Sequence, residues 1–182
     1  MSTPSGGLRT ADASAAPRHR VAVTGHRDLT ARSARLVEAR IRGLLAPRAP
    51  RLVGISCLAE GADLIFADVV LQLGGTLEAV LCAPDRREAL PASQRARHDR
   101  ALAAATEVRR LPFARSTPAA HRAANLAMLD AADELIAVWD GRPALGPGGT
   151  AEAVDEARRR GIAVSLVWPR GAARTSRPVT SG

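Results

Sequence analysis

Between residues 18 and 170, short solid or alternating apolar runs are separated by longer stretches whose apolar residues recur every three or four positions. That succession predicts strands alternating with helices, the pattern of a mostly parallel sheet. Arg20–Thr24 is the first strand, and it runs straight into Gly25-His26-Arg27. The helix after it carries Leu36, Val37, Ile41, Leu44 and Leu45 on one face. Arg51–Ser56 predicts a second strand, Cys57–Gly61 a loop, and Ala62–Leu73 a helix. This helix is apolar round most of its circumference and should therefore be packed on several sides. Gly74-Gly75 ends it in the manner of a C-cap. Thr76–Cys82 is the third strand, and Ala83-Pro84-Asp85 turns away from it.

The pattern weakens over residues 86–105, which are helical by propensity, with Pro91 marking a break or a helix start. Glu107–Leu111 predicts a short fourth strand, Thr117–Ala132 a helix and Glu134–Trp139 a strand. Thr150–Arg160 is a further helix, and Ile162–Trp168 a last strand that Pro169 terminates. No internal repeat is present. Residues 1–17 and 171–182 lack periodicity and are read as disordered tails. Residues 18–170 then form a single Rossmann-like α/β domain of three layers, with a mostly parallel sheet of five or six strands. A chain of 182 residues suits one well-buried core.

Composition adds limits. With 46% hydrophobic residues and a mean hydropathy of -0.05, the chain reads as globular. No apolar run approaches the roughly 18 residues that span a bilayer. The first twenty residues lack the apolar core of a signal peptide, so a cytoplasmic location is expected. The net charge of +8 is carried by arginine alone, in scattered clusters such as Arg86-Arg87, Arg109-Arg110 and Arg158–Arg160. Only 2% of residues are aromatic, too few for stacking platforms along single-stranded bases. We read the arginines as a solvated coat, which leaves a nucleic-acid partner the weaker expectation. Cys57 and Cys82 read as reduced thiols at strand ends. His19, His98 and His121 have no metal-ligand spacing, and neither metal nor cofactor is called for.

In an open α/β sheet, ligands bind beyond the carboxyl ends of the strands. The unusual residues of this chain fall there. Thr24, Gly25, His26 and Arg27 follow the first strand, and Ser56, Glu60, Gly61, Ala62 and Asp63 surround the second turn. Asp140 and Gly141 follow the fifth strand, and Gly146-Pro147-Gly148-Gly149-Thr150 opens the next helix. Free N–H groups at a helix start make an anion site, and Thr150 either caps the helix or donates to a phosphate. Arg27 suits a phosphate, and His26 suits a donor or general acid. Asp63 suits either a helix cap or a ribose hydroxyl. Asp140 is divided between turn chemistry and ligand contact, and Trp139 between core cover and base stacking.

Three segments carry a family resemblance: VAVTGHR (Val21–Arg27), SCLAEGAD (Ser56–Asp63) and the stretch Asn125–Glu152. Together they resemble the SLOG superfamily, which groups the Lonely-Guy phosphoribohydrolases with DNA-processing protein A and bacterial nucleotide-sensing domains. The resemblance implies a Rossmann-like fold that binds a nucleotide or nucleotide-derived ligand at these turns. Two positions depart from the phosphoribohydrolase pattern. Four residues before Met128, where that branch has an arginine, stands Ala124, with Arg122 nearby. Three residues after Thr150, where it has a glutamate, stands Ala153, with Glu152 one step earlier and about 100° away round a helix. Of the Arg-Asn-Arg run in the DNA-processing branch, only Asn125 is kept. The stretch from Asp140-Gly141 through GGT-x-E is also similar to nucleoside deoxyribosyltransferases.

The expected function is therefore a nucleotide-binding or sensing domain with little turnover. The alternatives are an N-glycosidic-bond hydrolase or transferase using Glu152 or Glu60, and a DNA-binding module. The apolar faces of the first helix and of Leu126–Leu129 offer surface for a homodimer.

Overall fold

The computed structural model describes residues 18–143 and 148–175. Six strands make one sheet: β1 (His19–Gly25), β2 (Leu52–Ser56), β3 (Thr76–Leu81), β4 (Glu107–Arg110), β5 (Glu134–Val138) and β6 (Ala163–Leu166). All pair in parallel, in the order β4-β3-β2-β1-β5-β6. The chain winds outward from β1 to β4, returns to the other side of β1 as β5, and ends at β6. The order of winding thus reverses between β1 and β5, and the crevice that such a reversal leaves lies at their carboxyl ends.

Five helices cover the sheet: α1 (Ala31–Leu45), α2 (Ala62–Gln72), α3 (Ala92–Ala104), α4 (Pro118–Leu129) and α5 (Thr150–Arg159). Side-chain alternation along the central strands assigns the layers. Val21, Val23, Ile136 and Val138 face one way and join α1, α2 and Ala101 of α3 in the larger core. Ala22, Leu135 and Ala137 face the other way and join α4 and α5. β2 and β5 are buried along their whole length, whereas edge strands β4 and β6 stay largely open. In α2, Phe66 and Val70 pack on β2 at Gly54, where a Cβ would lie 2.5 Å from Val70 Cγ2.

Two expectations change. Residues 171–175, read from composition as tail, are held against the turn after β1. Arg174 forms an antiparallel bridge with Leu29, and the Ala173 N–H donates to Ser33 Oγ at 2.8 Å. Ser33 is buried at the start of α1, and its hydroxyl returns a bond of 2.9 Å to the Ala173 carbonyl. Polar and apolar periodicity does not register such pairing. The apolar face of α1, offered for a dimer, is instead used inside the chain: Val37, Ile41 and Leu45 are fully buried in the larger core. Residues 1–17 and 176–182, read as tail, and Gly146-Pro147 lie outside the described residues.

Candidate functional site

The carboxyl ends of β1, β2, β3 and β5 converge on a cavity of about 330 Å³. Thr24, Gly25, His26 and Arg27 enter it from β1, and Asp63 from the first turn of α2. Asn125 comes from α4, and Gly148, Gly149 and Thr150 from the start of α5. These are nine of the residues expected there from the sequence.

Backbone geometry sets the close fit of the first two turns. The His26 N–H donates to the Val138 carbonyl at 3.0 Å, and the His26 carbonyl accepts the Ala62 N–H at 3.2 Å. The VTGHR turn is thereby tied to β5 on one side and to the start of α2 on the other. Gly61 has φ +78°, and a Cβ there would lie 2.4 Å from the His26 carbonyl oxygen, so position 61 requires glycine on two counts. Leu58, fully buried in the same loop, is at φ 51°, and no other described non-glycine residue has a positive φ. Backbone strain of that kind gathers at ligand edges.

Ser56, Gly61 and Ala62 shape the cavity from behind. Ser56 is fully buried; its hydroxyl donates to the Asp63 carbonyl at 3.3 Å and accepts the Leu58 N–H at 3.1 Å. Asp63 Oδ2 accepts the Ala59 N–H at 3.2 Å. Burial raises the Asp63 pKa to about 6, against the pull of that N–H and of the Arg86 and Arg27 charges. Asp140 also stands behind the wall. It takes the Arg142 N–H at 3.1 Å and lies 3.1 Å from His26 Nε2 and 3.7 Å from Arg174. Gly141 turns the chain beyond it with φ +79°.

The two carboxylates nominated for catalysis do not line the cavity. Glu152 Oε2 accepts the Gly148 N–H at 2.6 Å, and Oε1 pairs with Arg122 at 2.8 Å. It caps the start of its own helix and faces a separate groove between α4 and α5. Glu60 is half-buried in the β2–α2 loop, outside the lining.

Several lining groups were not expected. Arg86 follows β3 in a short 3₁₀ turn, Pro84–Arg86, and is 5% exposed, not part of a solvated coat. Its Nε has no hydrogen-bond partner among the described residues. The preceding Asp85 anchors the turn by accepting the Ser116 hydroxyl at 2.7 Å and the Ser116 N–H at 2.9 Å. His121, one turn into α4, has a buried Nε2 that also lacks a partner among the described residues. Burial, and then the charges of Arg27 and Arg86, push its pKa down to about 4. Arg27 is exposed at the cavity mouth, but the protein around its guanidinium, and then Arg86, lower its pKa. Cys57 and Cys82 are free thiols on the same wall, and desolvation followed by the Asp63 charge pushes Cys57 well up. Trp139 covers one side, its indole N–H donating to the Arg142 carbonyl at 2.8 Å. Arg174 closes the mouth from the C-terminal segment, bonded to both oxygens of Asp28 at 3.0 and 3.1 Å. Position after a strand end was the one sequence signal available for Arg86; nothing local marked His121 or Arg174.

No protein-family model matches the sequence, and neither does any curated protein. Solved structures do match in fold. DNA processing protein A from Streptococcus pneumoniae superposes with a TM-score of 0.62 at 22% identity, over 85% of this chain and 52% of that one. The chain thus spans about half the length of that protein. DNA processing protein A from Helicobacter pylori, described for its single-stranded DNA binding mode, gives 0.61 at 18%, over 85% of this chain and 67% of that one. The molybdenum cofactor binding protein from Rippkaea orientalis gives 0.51 at 14%, over 82% and 76%.

The likeness is one of fold: an open Rossmann-like α/β sheet.

Arginines dominate the charged side chains of the cavity. Arg27, Arg86, Arg142 and Arg174 line it, with Asp63 as its one carboxylate among the described residues. No described group of three or more His, Cys, Asp or Glu side chains is placed to hold a metal ion. No described helix is long and apolar enough to cross a membrane.

Proposed function

We propose that this domain binds a nucleotide or nucleotide-derived small molecule in the cavity at the carboxyl ends of β1, β2, β3 and β5, with little or no turnover. The observation that carries the reading is the charge of that cavity: four lining arginines, of which Arg174 is paired with Asp28, against one described carboxylate, at the reversal of an open α/β sheet. Such a lining selects an anion. Trp139 on the wall supplies a flat apolar surface for a base, and Asn125, whose Nδ2 donates to the Gly148 carbonyl at 3.2 Å, holds the glycine turn against α4. The Rippkaea orientalis neighbour is a molybdenum cofactor binding protein, and a small molecule bound on this fold agrees with a cavity ligand.

Binding without turnover is favoured because Glu152 is engaged by Gly148 and Arg122, while Glu60 is outside the lining. N-glycosidic cleavage would need a free carboxylate beside the sugar, and the one described carboxylate of the lining, Asp63, is buried and held by the Ala59 N–H at 3.2 Å.

A second reading, single-stranded DNA, draws on the net charge of +8, on exposed Arg109 and Arg110 of β4, and on the DNA-binding neighbours in fold. The test is thermal unfolding against nucleosides, nucleotides, cyclic nucleotides, ADP-ribose, NAD and oligothymidylate, with products analysed in the same wells. A shift of several degrees from one mononucleotide, recovered intact, is the expected result. Released base would make the domain an enzyme. A response to the oligonucleotide alone, falling steeply with salt, would replace the small molecule with DNA.

A further inference from the structure

A guanidinium carries five N–H donors and keeps its charge at every physiological pH. Removing one from water without a counter-ion costs several kcal/mol. Arg86 is 5% exposed and forms no salt bridge among the described residues, with Asp63 the one described carboxylate of its cavity. Its Nε has no partner among the described residues, its turn is locked by Asp85 on Ser116, and its side chain lines the cavity. Two further donors meet it there from other elements. Arg27 comes from the end of β1, and His121 from α4 with a second buried nitrogen, also unpartnered among the described residues. The three are close enough that Arg86 lowers the pKa of both others.

The start of α5, where the glycine-rich sequence suggests an anion, is differently equipped. Its Gly148 N–H is already bonded to a carboxylate of the same helix, Glu152, at 2.6 Å. A phosphate taking the Gly148 N–H would have to displace that carboxylate and release Arg122 from it.

We propose that the cavity takes the phosphate of a phosphomonoester on Arg86, Arg27 and His121, at the ends of β1 and β3, and not on the glycine turn before α5. This rests on the reading of the cavity as a nucleotide-like ligand site and adds the position and kind of its phosphate. Arg86 presents its fork to a dianion in bidentate fashion, and Arg27 reaches the same oxygens from the mouth. Because Arg86 is almost fully buried, the group that reaches it is terminal. A phosphodiester within a strand, with chain leaving on both sides, does not fit that end. The phosphate also supplies a partner for the His121 Nε2, and its negative charge raises the His121 pKa.

The test is calorimetric binding of adenosine, AMP, ribose 5-phosphate and inorganic phosphate to the full chain at neutral pH. It uses the unmodified protein, Arg86→Met, Arg27→Gln, Glu152→Gln and Thr150→Val. AMP is expected to bind at least about tenfold more tightly than adenosine, the scale of a charge-assisted bidentate contact. Arg86→Met and Arg27→Gln should each abolish most of that difference while adenosine affinity stays within about twofold. Glu152→Gln, at a residue outside the cavity lining, should preserve it. Should Arg86→Met fail to fold, Arg27→Gln and the His121 ring titration by NMR carry the test alone. Added AMP is expected to move the His121 pKa upward from about 4.

A phosphate preference that survives both arginine variants and disappears in Thr150→Val puts the phosphate on the glycine turn and overturns the proposal. So does inorganic phosphate that binds as tightly as either phosphomonoester, which makes the pole a free-anion site. Equal binding of AMP and adenosine sinks the proposal and leaves the nucleoside-like reading standing. No binding of any probe removes that reading as well.

Discussion

His26 Nε2 lies 3.1 Å from Asp140 Oδ1 and 3.1 Å from the Asp140 backbone nitrogen, across the ends of β1 and β5. One ring nitrogen serves one of these at a time: it accepts the N–H when bare, or donates to the carboxylate when protonated. Burial by itself pushes the Asp140 carboxyl up. The Arg142 N–H, His26 and Arg174 outweigh it and hold the carboxyl below its usual range. A carboxyl with a depressed folded pKa adds stability above its unfolded value of 3.8, and that stability is lost as pH falls through the folded value. Asp140→Asn should therefore lose about 1–2 kcal/mol at neutral pH, the scale of a charged hydrogen bond. Urea unfolding in neutral and strongly acid buffer checks this: the gap between variant and parent should narrow in acid. A gap of constant size would assign the loss to shape rather than charge.

Asp63 works in the opposite direction. Its folded pKa of about 6 stands above the ordinary 3.8, so the folded chain holds this proton more tightly than the unfolded one. Stability from this group rises as pH falls from about 6 toward 3.8, and at neutral pH the ionised carboxylate costs at most about 3 kcal/mol. Asp63→Asn keeps an acceptor for the Ala59 N–H and removes the charge. The variant should unfold at a higher temperature than the parent in mildly alkaline buffer, with the advantage gone near pH 4. A variant less stable in alkaline buffer but equal to the parent near pH 4 would mean that the carboxylate charge is needed by Arg27 and Arg86.

Two glycine substitutions should differ in sign. At Gly25 a Cβ would lie 2.6 Å from both Ala62 Cβ and Val138 Cβ, so Gly25→Ala forces β1, β5 and α2 apart. A loss of about 2–3 kcal/mol is expected, the ordinary cost of overpacking a fixed core. Gly43 lies inside α1, and a methyl group added there would meet nothing within 4 Å, so Gly43→Ala should gain about 0.5–1 kcal/mol from helix propensity. Denaturant midpoints at unchanged slope read both.

Ser33 and the C-terminal segment should act as one unit. Ser33 Oγ both accepts from and donates to the Ala173 backbone, at 2.8 and 2.9 Å. Ser33→Ala should cost about 1–2 kcal/mol. A chain ended at Arg170 should lose a similar amount, because it removes the same contacts along with the Arg174–Asp28 pair. Combining them should cost less than the sum, by a coupling on the order of 1 kcal/mol. Full additivity in a double-mutant cycle would show that the two are independent.

The layers of this protein were legible from periodicity because burial alternates along a strand and recurs every three to four residues round a helix. The pattern located the six described strands to within a few residues, as with β5 at Glu134–Val138. It placed α2, α4 and α5 as closely, as with α2 at Ala62–Gln72, but it gave α3 only as a helical propensity over residues 86–105. It also located the sheet edge that carries the cavity, since the glycine turns after β1 and β2 and before α5 must follow strands or begin helices wherever the tertiary fold puts them. Sequence alone could not orient side chains within that edge. Arg86 looked like one of many solvated arginines, and only the locked turn after β3 buries it. Glu152 looked like a cavity carboxylate, but on α5 it reaches back to its own Gly148 N–H. His121 and Arg174 come to the cavity from α4 and from beyond β6, separations over which no local pattern carries information. Propensity and periodicity are properties of neighbours in the chain. Which charges end up facing one another without water between them depends on distant segments, and that is settled by packing.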